Sequence, residues 1–296
     1  MGNIRMNNIM IMKGETIISI TDSGMGNRLK SLLSVMRLTD NYMVYWPKNR
    51  FGYAKFSDLF VNDFEVIKVP FFSNIFIGKN KLIYHPKTRF SPYFKVLDSD
   101  EINYGFAPGL YDQKKGKTSK IDGGKSIDFQ YNRIPKKIQD DYSEQVKKLV
   151  PIKYIQDELT RFYKKSFNEN TVSVQIRTWK DETRRQGMFS KDEYFKHLDN
   201  LPNKNFFISS DDQGIVDEIM SRYPARSFFY PKRISNYEPG SQDSKSIEFQ
   251  QDCLIDMLLL GKASLIIGSH LSSFVECAWW FGLCKPKVII VNQNTS

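Results

Sequence analysis

Short apolar runs alternate with longer amphipathic stretches along the chain. The run at residues 16–21 is rich in β-branched residues and too short for a helix, which is typical of a buried parallel strand. A turn cluster follows, and residues 28–38 then carry apolar side chains at helical spacing, which predicts a helix. Further apolar runs that predict strands lie at 42–46, 64–70 and 81–84. This alternation indicates an α/β layer.

The same alternation restarts in the second half of the chain. Predicted strands lie at 171–177, 205–208, 226–230, 264–267 and 287–291. Predicted helices separate them at 191–199, 213–222, 246–261 and 274–281. Helical stretches on both sides of Pro151 mark the junction, and we place the domain boundary at residues 160 and 161. The pattern predicts two doubly wound α/β domains, 1–160 and 161–296.

The composition is that of a soluble globular protein. The 296 residues are 41% apolar and 26% charged, enough for two hydrophobic cores. No apolar run approaches the ~18 residues of a membrane span. Lys13 interrupts the short apolar run near the N-terminus before it could serve as a secretory signal. We therefore expect a soluble, cytoplasmic protein.

Cysteine and histidine positions predict neither a disulfide framework nor a metal site. The three cysteines, Cys253, Cys277 and Cys284, form no C-x-x-C pair. The three histidines lie far apart in the sequence, and only His270 falls in a predicted ligand loop.

The chain is basic, with a formal net charge of +10. Such a charge attracts anions, whether nucleic acid, phosphorylated small molecules or an acidic membrane surface. A polyanion-binding module, for instance for RNA, is therefore one hypothesis. Against it, the sequence has no RNP-like strand and no basic helix stripe, and positive charge clusters in loops such as 114–125.

Several glycine-containing segments resemble phosphate-binding motifs only in part. In the G-x-G-x-x-G pattern that begins at Gly24, Leu29 replaces the third glycine, so the pattern is not a dinucleotide fingerprint. Residues 116–118 and 124–126 mimic the end of a P-loop, but the required earlier glycine is missing from both. We interpret both segments as solvated loops.

Better candidates for ligand binding lie where predicted strands end. Gly24 and Gly26 lie where the first strand turns into a helix, so backbone N–H groups there favour an anion. Arg177 ends the strand at 171–177, where a guanidinium can bind a phosphate with two parallel hydrogen bonds. Hydroxyls that open the last helix form an anion site with its free N–H groups; they belong to Ser269, Ser272 and Ser273.

Carboxylates follow the strand at 205–208. Ser210, Asp211 and Asp212 lie at its end, where carboxylates suit ribose hydroxyls or the N–H donors of a base. The alternative is that Asp211 or Asp212 caps the following helix.

These segments together resemble the fucosyltransferase superfamily, which includes Nod-factor, α1,2-, α1,6- and protein O-fucosyltransferases. The block 24–29 with the stretches 44–47 and 56–60 is similar to the family's opening G-x-G-N-R/Q segment and its W…F-x-D-L-F stretch. Residues 174–177 are similar to the H-x-R motif; Gln175 replaces its histidine, and Arg177 retains its arginine. Residues 206–212, Asp256, and the serines 269, 272 and 273 resemble its C-terminal nucleotide-binding segments.

The resemblance implies a GT-B architecture, two Rossmann-like domains facing a central cleft. It implies that the domain 161–296 binds a nucleotide sugar, usually GDP-fucose, and that the domain 1–160 binds a glycan acceptor. Transfer would be inverting and would need no metal and no cofactor other than the donor. The arginine of the H-x-R motif would contact the donor diphosphate. Asn27 and Arg28 would line the cleft on the acceptor side and join Arg177 as catalytic candidates. Gln175 leaves the donor sugar open.

The residues agree with this implied chemistry. Inverting transfer needs charge stabilisation on the departing diphosphate and removal of a proton from the acceptor hydroxyl. Arg177 and the Ser272–Ser273 helix start suit the first task, while Asp211 or Asp212 and Asp256 would orient the nucleoside. Loop carboxylates that could act as the base are Asp22, Asp181 and Glu182. The predicted partners are a nucleotide sugar and a glycan, with no nucleic acid. The alternatives are a transferase for another nucleotide sugar or the polyanion-binding module.

Overall fold

The structure is a computed structural model, and its chain divides into two compact units, residues 1–150 and 151–296. It describes residues 5–6, 9–10, 17–20, 24–38, 40–49, 51–62, 66–67, 82–84, 136–178, 189–233, 246–269 and 272–291. No helix within these ranges is both long enough and apolar enough to span a membrane.

The first unit contains a parallel four-stranded sheet. Its strands are β3 (Ile17–Ile20), β4 (Tyr42–Tyr45), β5 (Val66–Ile67) and β6 (Leu82–Tyr84), in the order β5-β4-β3-β6. Two short strands, β1 (Arg5–Met6) and β2 (Ile9–Met10), form a separate antiparallel pair. The helices are α1 (Met25–Leu38), α2 (Lys136–Lys147) and a 3₁₀ turn at Phe56–Asp58.

Helix α1 is fixed to the sheet by the apolar face that the sequence predicts. Leu29, Leu32 and Leu33 are completely buried, and the helix packs against β3 and α2. A buried hydrogen bond of 2.8 Å joins the hydroxyl oxygens of Ser19 on β3 and Ser31 on α1. Helix α1 begins at Met25, directly after Gly24, and this contact holds it against β3.

The second unit contains a parallel five-stranded sheet with the order β11-β10-β7-β8-β9. Its strands are β7 (Thr171–Ile176), β8 (Asn205–Ser210), β9 (Ser227–Phe229), β10 (Leu265–Ser269) and β11 (Lys287–Val291). The chain runs outward from β7 through β8 to β9, then returns to the other side of β7 for β10 and β11. The winding direction therefore changes between β7 and β10.

Five helices cover this sheet: α3 (Lys153–Ser166), α4 (Lys191–Asp199), α5 (Gln213–Arg222), α6 (Ile247–Leu260) and α7 (Ser273–Phe281). On one face, Val172, Val174 and Ile176 of β7 form a core with residues of α4 and α5. The alternate β7 residues Ser173 and Gln175 are buried on the opposite face, because side chains alternate along a strand.

The predicted alternation of strands and helices is confirmed, and both main sheets are parallel. The two compact units divide between Val150 and Pro151, ten residues before the boundary that the sequence suggested. The reason is α3, which spans residues 153–166 and packs against α6 of the second unit. A boundary at residue 160 would cut this helix.

Candidate functional site

Polar side chains meet at the carboxyl edge of the second sheet. Because all five strands are parallel, their carboxyl ends lie at one edge, and ligands of open α/β sheets bind there at the point where the winding reverses. That point lies between β7 and β10. The residues that end or follow strands here are Arg177 after β7, Asp211 after β8, Lys232 after β9 and Ser269 at the end of β10.

Side chains bridge β7 and β10 where the two strands cease to pair. The register pairs Ile266 with Ser173 and Ile267 with Val174 and goes no further. Beyond it, the Arg177 backbone N–H donates to Ser269 Oγ at 2.7 Å. The Ser269 backbone N–H donates to Gln175 Oε1 at 3.3 Å. Where the pairing of the two strands ends, the side chains of Ser269 and Gln175 therefore accept the backbone N–H groups of Arg177 and Ser269.

Tyr194 on α4 completes this bridge. Its hydroxyl donates to the Gln175 carbonyl oxygen at 3.0 Å and lies 2.7 Å from Ser269 Oγ. Burial raises the pKa of Tyr194, so the phenol remains a proton donor. The network thereby connects the backbone of residues 175 and 177 to β10 through neutral groups.

The Arg177 side chain is held from one side and exposed on another. Its Nε lies 3.2 Å from Asp211 Oδ2, and 40% of the side chain is exposed. The other oxygen of Asp211 accepts from Thr178, whose backbone N is at 2.9 Å and whose hydroxyl is at 3.3 Å. Asp211 is therefore fixed by Thr178, two residues after β7, and in turn orients Arg177.

A buried ion pair lies beside these residues. Lys232 Nζ is 2.8 Å from Asp256 Oδ2, and the Ser209 hydroxyl donates to the same oxygen at 3.0 Å. Burial raises the pKa of Asp256, and Lys232 and Ser209 oppose this rise. Burial alone would lower the pKa of Lys232, but the Asp256 charge outweighs it and the pKa is raised.

Two of the predicted site residues make helix caps. Asp212 begins α5 and accepts from the Gly214 N–H at 3.0 Å, while the Ser210 hydroxyl oxygen accepts from the Asp212 N–H at 3.1 Å. Ser272 begins α7 and accepts from the Val275 N–H at 3.4 Å. The capping alternative therefore describes Asp212, while Asp211 binds Arg177 instead. Ser273 is the first residue of α7 and is half-buried.

The first unit holds the other predicted site residues at the start of α1. Gly24 and Asn27 are half-buried and Gly26 is buried. Arg28 is 1% exposed. Its guanidinium donates to the Pro47 carbonyl at 2.7 Å and to Asn49 Oδ1 at 3.0 Å.

The surroundings of Arg28 give it a structural role. The guanidinium carbon lies 5.3 Å from the centre of the Trp46 ring. A Cβ added to Gly52 would come within 2.9 Å of that same carbon. Arg28 thus fastens the segment after β4 to α1.

Sequence reasoning missed three residues of the second unit's site: Thr178, Tyr194 and Lys232. Lys232 follows β9 by three residues, so the strand-end rule that selected Arg177 and Asp211 would have found it if applied to β9 as well. Tyr194 has no such signal, because an aromatic residue on an amphipathic helix predicts only core packing.

The proposed bases and one histidine cannot be placed. Asp22, Asp181, Glu182 and His270 lie outside the described residues, as does the basic loop 114–125.

Within the described part of the chain, no group of three or more His, Cys, Asp or Glu residues could hold a metal ion.

The strand order and the polar residues at the switch point define an α/β protein with a doubly wound second unit. Comparison by sequence finds no matching family model and no matching curated protein. Comparison by structure finds fucosyltransferases. NodZ from Bradyrhizobium is 16% identical, with a TM-score of 0.51, over 90% of this chain and 92% of NodZ. NodZ α-1,6-fucosyltransferase co-crystallised with GDP gives a TM-score of 0.53 at 16% identity, over 90% and 92% of the two chains.

A plant enzyme gives a similar result. A point mutant of FUT1 from Arabidopsis thaliana in complex with GDP is 15% identical, with a TM-score of 0.54, over 93% of this chain and 70% of FUT1. The chain therefore has a fucosyltransferase-like fold, as the sequence resemblance implied.

Proposed function

We propose that this protein is an inverting glycosyltransferase that transfers fucose from GDP-fucose to a hydroxyl group of a glycan without a metal ion. The observation that carries the proposal is the position of Arg177. It lies at the switch point between β7 and β10, is 40% exposed, and is oriented by Asp211. The similar NodZ structures include one soaked with GDP-fucose, at 17% identity and a TM-score of 0.50.

In the proposed reaction, the bond between the anomeric carbon of fucose and the diphosphate oxygen breaks as the acceptor oxygen attacks from the opposite face. Negative charge then grows on the departing diphosphate. The Arg177 guanidinium and the N–H groups at the start of α7, with Ser272 and Ser273, would stabilise that charge. These groups would supply the positive charge that a metal ion supplies in metal-dependent enzymes.

The remaining roles are those that the family resemblance implies. In the second unit, Asp211 and Asp256 would orient the nucleoside, and Gln175 and Ser269 would shape the crevice that receives the donor. In the first unit, Asn27 would contact the acceptor, and Arg28 would support the acceptor side through the segment after β4. A GT-B arrangement is the corresponding proposal for the whole chain. A carboxylate among residues 22, 181 and 182 would accept the acceptor's proton.

Thermal unfolding with nucleotides tests the proposal, because a ligand that binds only the folded state raises the midpoint. We expect GDP to raise the midpoint more than UDP or dTDP do, with the same shift in EDTA. Incubation with GDP-fucose and a panel of glycans should then release GDP. A shift that is lost in EDTA would contradict metal independence.

A second candidate is a transferase for another nucleotide sugar. The observation that favours it is Gln175, whose amide oxygen accepts from the Ser269 N–H where the family motif has a histidine. A shift selective for UDP or dTDP would support this candidate. Stabilisation by RNA alone would instead favour a polyanion-binding module.

A further inference from the structure

The Lys232–Asp256 pair lies at the edge of the second sheet, and the proposed reaction gives a task to its carboxylate but none to its lysine. Lys232 follows β9, and Asp256 lies in the middle of α6, so the pair ties a strand end to a helix across the edge of β8. The Lys232 side chain is 22% exposed, whereas that of Asp256 is 2% exposed. The lysine also lies 3.4 Å from the Ser210 carbonyl oxygen.

The two carboxylate oxygens of Asp256 differ in their hydrogen bonds. Oδ2 accepts from both Lys232 and Ser209, whereas Oδ1 is buried and has no hydrogen-bond partner in the described part of the chain. A buried carboxylate oxygen that lacks a donor loses the hydrogen bonds it made in water, which costs free energy. An N–H donor that reached this oxygen would recover the lost hydrogen bond.

We propose that Lys232 is a positioning residue, which holds Asp256 in its charged form and in one orientation so that Oδ1 can accept an N–H of the donor's nucleobase. This inference rests on the proposed function, because it takes the nucleoside of the donor as the ligand of Asp256. Lys232 acts through Asp256 and does not touch the reacting atoms.

The charged groups around Asp256 explain why it depends on this lysine. On its own helix, the acidic side chain of Asp252 and the Cys253 thiol lie nearby. Asp252 is already bound to Arg233, whose terminal nitrogen lies 2.8 Å away. Burial raises the pKa of the Cys253 thiol to about 12, so it stays neutral.

Among the described residues of neighbouring elements, Arg177 after β7 acts on the Cys253 thiol, while Lys232 is the cation that acts on Asp256 itself. After β8, Asp211 lies near Lys232 and adds negative charge. From α3, Glu158 bonds to Arg161, and from α7, Glu276 lies 3.5 Å from the indole nitrogen of Trp280. Within the described residues, Lys232 is therefore the cation that keeps the Asp256 charge in place.

Replacement of the lysine should make donor binding depend on pH. In Lys232→Met, burial acts on Asp256 without a counter-charge, so its pKa rises further and the carboxyl takes up a proton at higher pH than in wild type. The affinity for GDP-fucose, relative to wild type, should then fall by up to about tenfold for each pH unit between about pH 8 and pH 5. Calorimetric titration of the full chain measures this ratio, and GDP-fucose is preferred to GDP because it has no terminal phosphate that titrates in this range.

The ligand-free protein should show the opposite trend. A carboxyl with a folded-state pKa above its unfolded value contributes stability at low pH and loses it as pH rises through the folded-state pKa. The melting temperature of Lys232→Met should therefore fall further below that of wild type as pH rises from about 5 to 8. This measurement needs no donor.

Three further variants separate positioning from a general structural effect. Lys232→Arg keeps the positive charge and should restore pH-independent binding. Lys232→Met combined with Asp256→Asn removes the titrating carboxyl, so both pH trends should disappear. Lys191→Met removes a surface lysine that pairs with Glu218 at 2.9 Å in the same unit, and it should behave like wild type.

The outcomes are distinct. Opposite pH trends in binding and melting support the proposal. Weakened binding that is the same at every pH would overturn it and make Lys232 a direct electrostatic contact. Wild-type protein that does not bind GDP-fucose would overturn the proposed function, and with it the donor role of Asp256. The melting comparison would still show whether Lys232 keeps the carboxyl charged.

Discussion

Arg177 owes its orientation to neighbours from two strands, β10 and β8. Its backbone N–H donates to Ser269 on β10, and its Nε lies against Asp211 after β8. Both contacts leave part of the guanidinium exposed at the switch point. A cation that is fixed before the ligand arrives stabilises developing charge without a cost of reorganisation.

We therefore expect Arg177→Ala to lower turnover by at least ~100-fold while the protein stays folded, because one charge-stabilising donor is lost. Arg177→Lys should recover little, since an ammonium cannot form two parallel hydrogen bonds to a phosphate. Steady-state kinetics with GDP-fucose measures the loss. Arg161→Ala, which removes an exposed arginine of α3 paired with Glu158, is the matched control. Near-normal turnover of Arg177→Ala would refute its assigned role.

At this scale, the sequence predicts the residues that follow strands and misses those that act from helices. Arg177 and Asp211 are predicted because polar residues after apolar runs mark the edge of a parallel sheet. Ser269 is predicted with the hydroxyls before the last helix, and Asp212 makes the cap that the sequence analysis gives as the alternative. Tyr194 could not be found, since its contact with Ser269 spans 75 positions and depends on the packing of α4.

At the scale of secondary-structure elements, the start of α7 combines two properties. Ser272 caps the helix, and the following N–H groups of the first turn point toward the edge where β10 ends. A helix cap and an anion-binding site require different properties of the side chain at position 272. A cap needs only a side-chain oxygen, whereas a phosphate site also excludes negative charge.

Ser272→Asp separates these roles. Because aspartate caps helices about as well as serine, the variant should melt close to wild type, whereas Ser272→Ala should lose about 1 kcal/mol of stability. If the diphosphate binds at the start of α7, the added charge should weaken GDP binding by at least about tenfold, or ~1.4 kcal/mol. Calorimetry and thermal unfolding of both variants measure these effects. Wild-type affinity in Ser272→Asp would show that the donor phosphates do not bind there.

Apolar periodicity predicts most elements of the second sheet but not their order. The runs at 171–177 and 264–267 are both β-rich, and nothing in either one specifies that β10 lies beside β7. Their neighbour relation comes from the packing of helices on both faces. The site depends on it, because the crevice exists only where these two strands separate.

At the scale of the whole molecule, the two units divide at Val150 and Pro151, and α3 belongs to the second. Ile155 on α3 is completely buried, and the Phe162 ring lies 6.1 Å from that of Phe207 on β8. The sequence could not place this boundary, because helical patterning continues on both sides of Pro151. Only the packing partner of α3 decides which domain it joins.

Two fragments test this division together with the donor assignment. Residues 151–296 retain all of α3, so this fragment should unfold cooperatively and bind GDP if the second unit holds the donor. Residues 161–296 lack Ile155 and the Tyr154 ring that lies 4.7 Å from the Arg233 guanidinium carbon, so this fragment should be less stable by several kcal/mol. Circular dichroism melting compares their stabilities, and calorimetry with GDP measures binding.

Equal stability of the two fragments would contradict the assignment of α3. If the full chain binds GDP and the folded 151–296 fragment does not, the first unit contributes to the donor site.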